Sequence, residues 1–244
     1  MKQYHYTLII FLRTILSYIL SIIVGITCFI PTLLLVALLP RTYRYDNKLL
    51  FWFLDCTYRG ICKAMFIHIK IHGKENLPQE PAIFIANHQS SLDIPVLGLV
   101  AQGHPHIWFV LVRFAHTPVL GFFVRRMTAP VDQDSPTKSA RSLIMGLRLV
   151  KDKNRHVLLF PEGGRFNDGQ IHDFFGGFVI LAKQTGRPVI PVLMRNLGKV
   201  YPPHSFLIYH YRVELLIGAP LLMEPEETDE HFAQRAHTWF ENNN

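Results

Sequence analysis

Charge is scarce in this 244-residue chain: Asp, Glu, Lys and Arg together make up 18%, against 49% for the hydrophobic residues. The shortage is concentrated. No charged side chain occurs from Thr14 to Leu39, and the apolar run reaches back to Thr7 with Arg13 as its one interruption. About 20 apolar residues in a helix cross a bilayer core, so this run is long enough to do so. It is also too long for a secretory signal peptide, and it lacks the small-residue cleavage site of one. Cysteine is equally sparse. Cys28, Cys56 and Cys62 have no CxxC spacing, which excludes a zinc site and a disulfide framework, and no metal is expected. There is no G-x-S-x-G elbow, which counts against a lipid esterase or thioesterase built on Ser90 or Ser91. Internal repeats, low-complexity linkers and signs of a second globular domain are absent too.

The chain does carry a net charge of +7. Without a zinc-finger spacing, an RNA-recognition signature or a basic helix, this excess does not point to nucleic acid. A basic protein with an apolar anchor suits an anionic lipid surface, where each nearby Lys or Arg contributes about 1 kcal/mol. Gly25 and Pro31 leave the anchor's shape open between one spanning helix and two shorter helices that turn back near Pro31. Lys2 and Arg13 precede the run, and Arg41, Arg44 and Lys48 follow it, so the positive-inside rule favours the second flank only slightly. Next, "KLLFWFLDCTYRGICKAMF" has helical spacing and the character of a helix lying along the head-group region, with Arg59 and Lys63 outermost.

From Ile67 the period shifts towards two. "IHIKIHG" predicts a half-exposed strand, and "AIFIA" a short strand buried on both faces. Helices and strands then alternate. A helix is expected over Ile94–Val100, a strand at "IWFVLV", and a helix at "HTPVLGFFVRRM" followed by the extended piece "APVDQD". "SPTKSARSLIMGLRLVKDKN" predicts an amphipathic helix with Pro136 in its first turn, "HVLLF" a strand, and "FVILAKQTG" a helix closed by Gly186. "PVIPVLM" and the longer "LIYHYRVELLIG" predict strands, and "ETDEHFAQRAHTWFENNN" a polar terminal helix. This alternation predicts an α/β fold: a mixed, partly parallel sheet flanked by helices, behind an N-terminal membrane-anchoring segment.

Two stretches carry chemistry. "AIFIANHQSSLDIP" ends a buried strand at Asn87 and His88, with Asp93 five residues on, a spacing that a strand-to-helix turn can close. Asp93 could equally cap the helix that Pro95 requires to start nearby, and His88 could be an ordinary turn histidine. "VLLFPEGGRFNDG" breaks a second buried strand into a tight loop. Gly163 and Gly164 let a ligand approach the main chain there, while Glu162 and Arg165 flank it, which is a suitable cradle for an anion. An exposed turn with an ion pair would read the same way.

Together, N-H-x-x-x-x-D at Asn87–Asp93 and F-P-E-G-x-R at Phe160–Arg165, about 70 residues apart, resemble the glycerolipid acyltransferases, the family that includes 1-acylglycerol-3-phosphate acyltransferases. Arg113, where a lysine is usual, Pro118, Gly121 and the block Val189–Val192 extend the likeness over roughly residues 65 to 220. The resemblance implies that His88 is the general base, that Asp93 holds its tautomer, and that Arg113, Glu162, Gly163, Gly164 and Arg165 bind substrate. It implies residues 1–64 as membrane anchor and interfacial helix and residues 65–244 as the acyltransferase domain. The implied partners are a lysophospholipid acceptor, an acyl donor and the membrane. Acyl-CoA or acyl carrier protein would be the donor, no cofactor would be needed, and the active site would face the cytoplasm. The implied product is phosphatidate, and a second acceptor class is another lysolipid such as a lyso-ornithine lipid. A non-catalytic membrane protein keeping the fold is disfavoured by the intact His88, Asp93, Glu162 and Arg165. Two departures bear on the acceptor. Gln133 follows Val131-Asp132 where the family often has arginine, and Phe175 follows Phe174 where it often has lysine. Gly164 stands in place of the usual threonine.

Overall fold

The uncharged run folds as one continuous helix. The computed structural model describes residues 2–151 and 153–244. It is helical from Lys2 to Leu38 as α1 (Lys2–Val24), a π-helical turn (Gly25–Phe29) and α2 (Ile30–Leu38). Pro31 follows directly on the π-helical turn, whose wider ring accommodates the missing donor and ring of proline inside the helix. The bend near Pro31 is therefore not formed. The chain turns back later, through α3 (Arg41–Arg44) into α4 (Lys48–Ala64), whose first turn Asn47 caps by accepting from the Leu50 N–H.

The long helix and α4 run antiparallel: Arg13 Nη2 donates to the Phe66 carbonyl at 3.0 Å, Val24 lies on Gly60, and Val36 clusters with Tyr45 and Leu50. A Cβ on Gly60 would stand 2.7 Å from Val24 Cγ1, so the bare backbone there sets how closely the helices approach. This pairing revises the expectation of an interfacial α4. Leu50, Phe51, Leu54, Tyr58 and Cys62 form a buried face, leaving Leu49, Trp52 and Lys63 outside, and Arg59 is paired with Asp55 at 2.6 Å.

Seven strands form one sheet: β1 (His68–His72), β2 (Ile83–Ala86), β3 (His106–Leu111), β4 (Ala129–Val131), β5 (His156–Leu159), β6 (Val189–Arg195) and β7 (Arg212–Ile217), in the order β1-β7-β6-β2-β5-β3-β4. The five strands β4, β3, β5, β2 and β6 run parallel; β7 is antiparallel to β6 and pairs in parallel with β1. Alternation along β2 shows why the sheet has two covered faces. Ile83 and Ile85 belong to one apolar cluster, with residues from α4, α6 (Leu120–Met127), α8 (Gly177–Thr185) and α10 (Asp229–Asn243). Phe84 and Ala86 belong to the other, with Val96 and Leu97 of α5 (Asp93–Gly98). The amphipathic α7 (Pro136–Val150) and the short α9 (Leu197–Val200) complete the fold. Lys151, Lys153 and Asn154 fall beyond α7, and Asp152 lies outside the described residues.

Two expectations are corrected. The last strand is half as long as "LIYHYRVELLIG" suggests, because residues 207–211 leave the sheet: the Ile208 N–H donates to Thr14 Oγ1 at 3.0 Å and the Tyr209 N–H to the Val200 carbonyl at 2.8 Å. The terminal helix is not polar throughout, since Phe232, Ala236 and Phe240, four apart, are fully buried.

The central strand ends are locked by one side chain. Asn87, 1% exposed, donates from Nδ2 to the Met194 carbonyl at 2.9 Å and accepts the Met194 N–H on Oδ1 at 2.8 Å. It continues the β2–β6 ladder one residue past the last strand pair. Asn87→Ala should leave both Met194 groups unpaired in a dry site, at about 1–3 kcal/mol each. Thermal unfolding of the detergent-solubilised protein should show the loss, and an unchanged midpoint would contradict the clamp.

Candidate active site

All the singled-out residues sit at one edge of the sheet, beyond the carboxyl ends of the parallel strands, where α/β sheets bind ligands. His88 follows β2, Phe160–Arg165 follow β5, Arg113 follows β3 and Gln133 follows β4.

Asp93 is the first residue of α5, but its carboxylate does not cap that helix. It folds back into the preceding turn, where Oδ2 accepts the Gln89 N–H at 2.5 Å, the Ser90 N–H at 2.7 Å and His88 Nδ1–H at 2.7 Å. Asp93 is fully buried and His88 is 8% exposed. The turn is pinned from below by Ser90, whose hydroxyl donates to the Tyr201 carbonyl at 2.8 Å and accepts the Leu92 N–H. Ser90 is thus committed to the backbone, and it is no nucleophile aimed at the site.

With its Nδ1–H donating to Asp93, the imidazole presents a lone pair at Nε2, the tautomer that satisfies both of its bonds. Arg165 Nε donates to that nitrogen at 3.0 Å. The second motif surrounds the histidine in three further ways. The Phe160 ring stacks on the imidazole, with centroids 4.0 Å apart and planes 5° from parallel. The Phe166 N–H donates to the His88 carbonyl at 2.9 Å. The Glu162 carboxylate accepts the His88 N–H. Glu162 is buried, Oε1 has no hydrogen-bond partner among the described residues, and burial pushes its carboxyl up to about 8, with Asp93 and Asp168 adding to the shift. At neutral pH it is mostly protonated. A buried, mostly protonated carboxyl beside the His88 backbone has the geometry of a brace.

Behind Phe160 lies a buried chain of hydrogen bonds that the sequence does not announce. Trp108 Nε1 donates to Tyr58 Oη at 2.9 Å, Tyr58 donates to His106 Nε2 at 3.1 Å, and His106 Nδ1 donates to the His104 carbonyl at 2.8 Å. Burial lowers the His106 pKa to about 4 and keeps the ring neutral, as this chain of donors requires. Trp108 stands 5.7 Å from the Phe160 ring, so the network backs the aromatic on which His88 lies.

His88 opens onto a cavity of about 1240 Å³, larger than most ligand sites. Its walls are mostly apolar, including Leu54, Trp108, Phe123, Val124, Leu143, Phe178 and Leu181, with Gly163, Gly164, Arg165, Gln133 and Arg113 at the polar end. Arg113 is exposed and its guanidinium lies 5.2 Å from the Phe114 ring centroid. Neither Arg125, which binds the Ala115 carbonyl, nor Arg126, stacked on Phe122, lines the cavity.

The two departures converge on one point. Gly163 has φ +64°, and a Cβ there would meet Phe175 Cε2 at 2.6 Å and Gln133 Nε2 at 3.0 Å. An amide and a phenyl ring thus flank the loop glycine. They lie 42 residues apart in sequence, so only the fold reveals them as neighbours.

These features have counterparts in known proteins. The chain is 29% identical over 210 residues, 82% of its length, to a chloroplastic 1-acyl-sn-glycerol-3-phosphate acyltransferase of Brassica napus, and 32% identical over 160 residues, 64% of its length, to one of Arabidopsis thaliana. The matched regions span 59% and 44% of those relatives. The crystal structure of the 1-acyl-sn-glycerophosphate acyltransferase of Thermotoga maritima superposes with a TM-score of 0.72 at 20% identity, covering 96% of this chain and 94% of that one, so the fold is shared. Residues 68–195, more than half the chain and the part that holds both motifs, match the family described as Acyltransferase, and the chain belongs to that family.

Proposed function

We propose that this protein transfers a fatty acyl group from a thioester, acyl-CoA or acyl carrier protein, to the free hydroxyl of 1-acylglycerol-3-phosphate, giving phosphatidate. The observation that carries this reading is the oriented pair His88–Asp93, placed between an arginine-bearing glycine loop and a large apolar cavity. Three features are needed for acyl transfer to a lysophosphatidate: a base for the hydroxyl, a cradle for the phosphate and room for the chain. They meet at one strand edge.

His88 Nε2 takes the hydroxyl proton as the acceptor oxygen attacks the thioester carbonyl, and Asp93 stabilises the imidazolium that forms. Collapse of the tetrahedral adduct breaks the carbon–sulfur bond, and the imidazolium returns the proton to the departing sulfur. The products are an ester and a free thiol, with no acyl-enzyme. Arg165 and the Gly163–Gly164 backbone hold the phosphate, with Arg113 at the rim for phosphate or donor, while Glu162 braces the base. The apolar walls take an acyl chain.

A second acceptor class has its own support. Gln133 and Phe175 beside Gly163 make the anion site poor in charge, which suits a lysolipid with less phosphate charge, such as a lyso-ornithine lipid.

For attachment to the membrane, the support is the shape of the N-terminal helix. It is bound to the rest of the protein from Arg13 to Val36, about 35 Å of helix, which exceeds the roughly 30 Å core of a bilayer. Such a helix lies along the body of the protein. Leu8, Leu12, Ile19, Ile22 and Ile26 form its exposed stripe, which would sink into one leaflet with the active site on the cytoplasmic side, where thioester donors occur. Residues 1–64 then carry the attachment and residues 65–244 the chemistry, although Leu54, Tyr58 and Ile61 of α4 also wall the cavity.

Acyl-transfer assays against a panel of lysolipids, with acyl-CoA and acyl carrier protein compared, test the reading. Lysophosphatidate should be the best acceptor, and a preference for an unphosphorylated lysolipid would move the assignment to the second class. His88→Ala should abolish transfer, and Asp93→Asn should lower it by several orders of magnitude, with the fold retained in both. Near wild-type turnover by His88→Ala would rule this mechanism out. Gln133→Arg, which adds a charge beside Gly163, should be neutral or lower the Michaelis constant for lysophosphatidate while leaving the donor constant alone; a rise in the acceptor constant would mean that the amide itself holds the head group. For the membrane, the double variant Leu12→Glu, Ile19→Glu should lose co-sedimentation with anionic vesicles and keep its melting temperature. Undiminished sedimentation would place the contact elsewhere.

A further inference from the structure

The lone pair that makes His88 a base is already occupied. Arg165 Nε donates to Nε2 at 3.0 Å, in the position that an acceptor hydroxyl must take before it can lose its proton. Everything else about the histidine is fixed: Asp93 holds Nδ1, Phe160 holds the ring face, and Glu162 and Phe166 hold the backbone on either side. Arg165 differs from these. It is exposed, and the bond to His88 is its single hydrogen bond among the described residues. Its neighbours Glu162 and Phe166 are tied to His88 by their own bonds, so the guanidinium can swing away without moving the loop.

We propose that Arg165 is a latch on the base, released by the acceptor's own anionic head group. The proposal rests on the acyl-transfer reading above for what the base does, and adds when it can act. An imidazole lone pair accepts one bond from a guanidinium, whereas a phosphate accepts two parallel charge-assisted bonds from the same fork. An anion entering the Gly163–Arg165 cradle therefore draws the side chain off Nε2 and delivers the acceptor hydroxyl to the vacated position. While the latch is closed, water cannot use His88. That protects the donor from a wasteful reaction in which water attacks the thioester carbonyl, the carbon–sulfur bond breaks, and His88 passes a proton from the water to the departing sulfur, leaving a fatty acid and a thiol. In an enzyme whose donor site can fill before its acceptor site, such protection separates transfer from hydrolysis. Arg165 thus has two successive partners, His88 in the free protein and the phosphate in the complex.

The test follows the reactivity of Nε2 directly. The full-length protein in detergent, without donor, is treated with diethyl pyrocarbonate, and modification of His88 is timed by peptide mass spectrometry. His231, whose side chain is 71% exposed, serves as the internal reference. Inorganic phosphate is titrated at constant ionic strength against chloride. In the wild type, His88 should react slowly, and phosphate should raise its rate by about tenfold or more, the scale of one charge-assisted hydrogen bond. In Arg165→Ala it should react fast with or without phosphate, and hydrolysis of acyl-CoA in the absence of acceptor should exceed that of the wild type. Equal His88 rates in wild type and Arg165→Ala would overturn the latch. A slow wild-type rate that phosphate leaves unchanged would overturn release by an anion. Both readouts are independent of acceptor identity, so a protein that prefers another lysolipid could still show the latch, and one that makes phosphatidate could still lack it.

Discussion

A carboxylate with no exposed surface is costly unless donors surround it, and the turn after the second strand is organised around that requirement. Asp93 collects two backbone N–H groups and the imidazole on a single oxygen. These bonds do several things at once. They bend the chain between strand and helix tightly enough for a histidine and an acid five residues apart to meet. They select the Nδ1–H tautomer, which leaves the Nε2 lone pair free to accept the Arg165 Nε–H. They also tie the acid to the histidine, whose Nδ1–H donates to the same oxygen as the two backbone groups. The second oxygen has no partner among the described residues, so all the compensation rests on Oδ2.

The rest of the site is support for that turn, and most of it comes from the loop after the fifth strand. Four groups of Phe160–Phe166 touch His88: a ring, a carboxylate, a guanidinium and a backbone N–H. The neighbouring strand positions make this contact inevitable. Ile85 pairs with Leu159 in parallel register, so the two chains leave the sheet side by side and their loops must pack against each other. His88 and the glycine loop are thus one assembly, and a change in the loop would alter the histidine's orientation as well as the lining of the cavity.

This pairing explains what was legible in the sequence. The strands and most helices follow from apolar periodicity, and the two strand-end motifs stand out because they occur together, each a polar loop breaking a buried strand. Residues close in sequence, such as His88 and Asp93, could be joined by reasoning about one turn. Contacts between distant segments could not. Nothing in the local spacing marks Tyr58, His106 and Trp108 as a hydrogen-bonded chain behind Phe160, since each is an ordinary member of its own helix or strand. The apolar face of α4 was likewise ambiguous, because a face that packs on a protein core and one that rests on lipid need the same residues. The same holds for α10, whose three buried positions are outnumbered by polar neighbours. Glu162 is assigned to substrate by its place in a motif, and its burial against the His88 backbone could be seen only in the fold.

The long N-terminal helix and the cavity meet in a single physical problem. On the function proposed above, the acceptor and the acyl chain are amphiphiles, while the chemistry needs a dry, polar corner. α4 connects the two regions: one side lies against the long helix at Gly60 and Val24, while Leu54, Tyr58 and Ile61 wall the cavity. The long N-terminal helix is therefore packed onto the helix that walls the cavity. A bilayer docked against the exposed stripe from Leu8 to Ile26 would lie close to that wall, so a lipid would travel a short apolar path from leaflet to cavity. Burial of the anchor's other face, at Thr14, Ser17, Thr32 and Val36, then has a purpose beyond stability. It fixes the orientation of the cavity relative to the exposed apolar stripe, as a flexible tether would not.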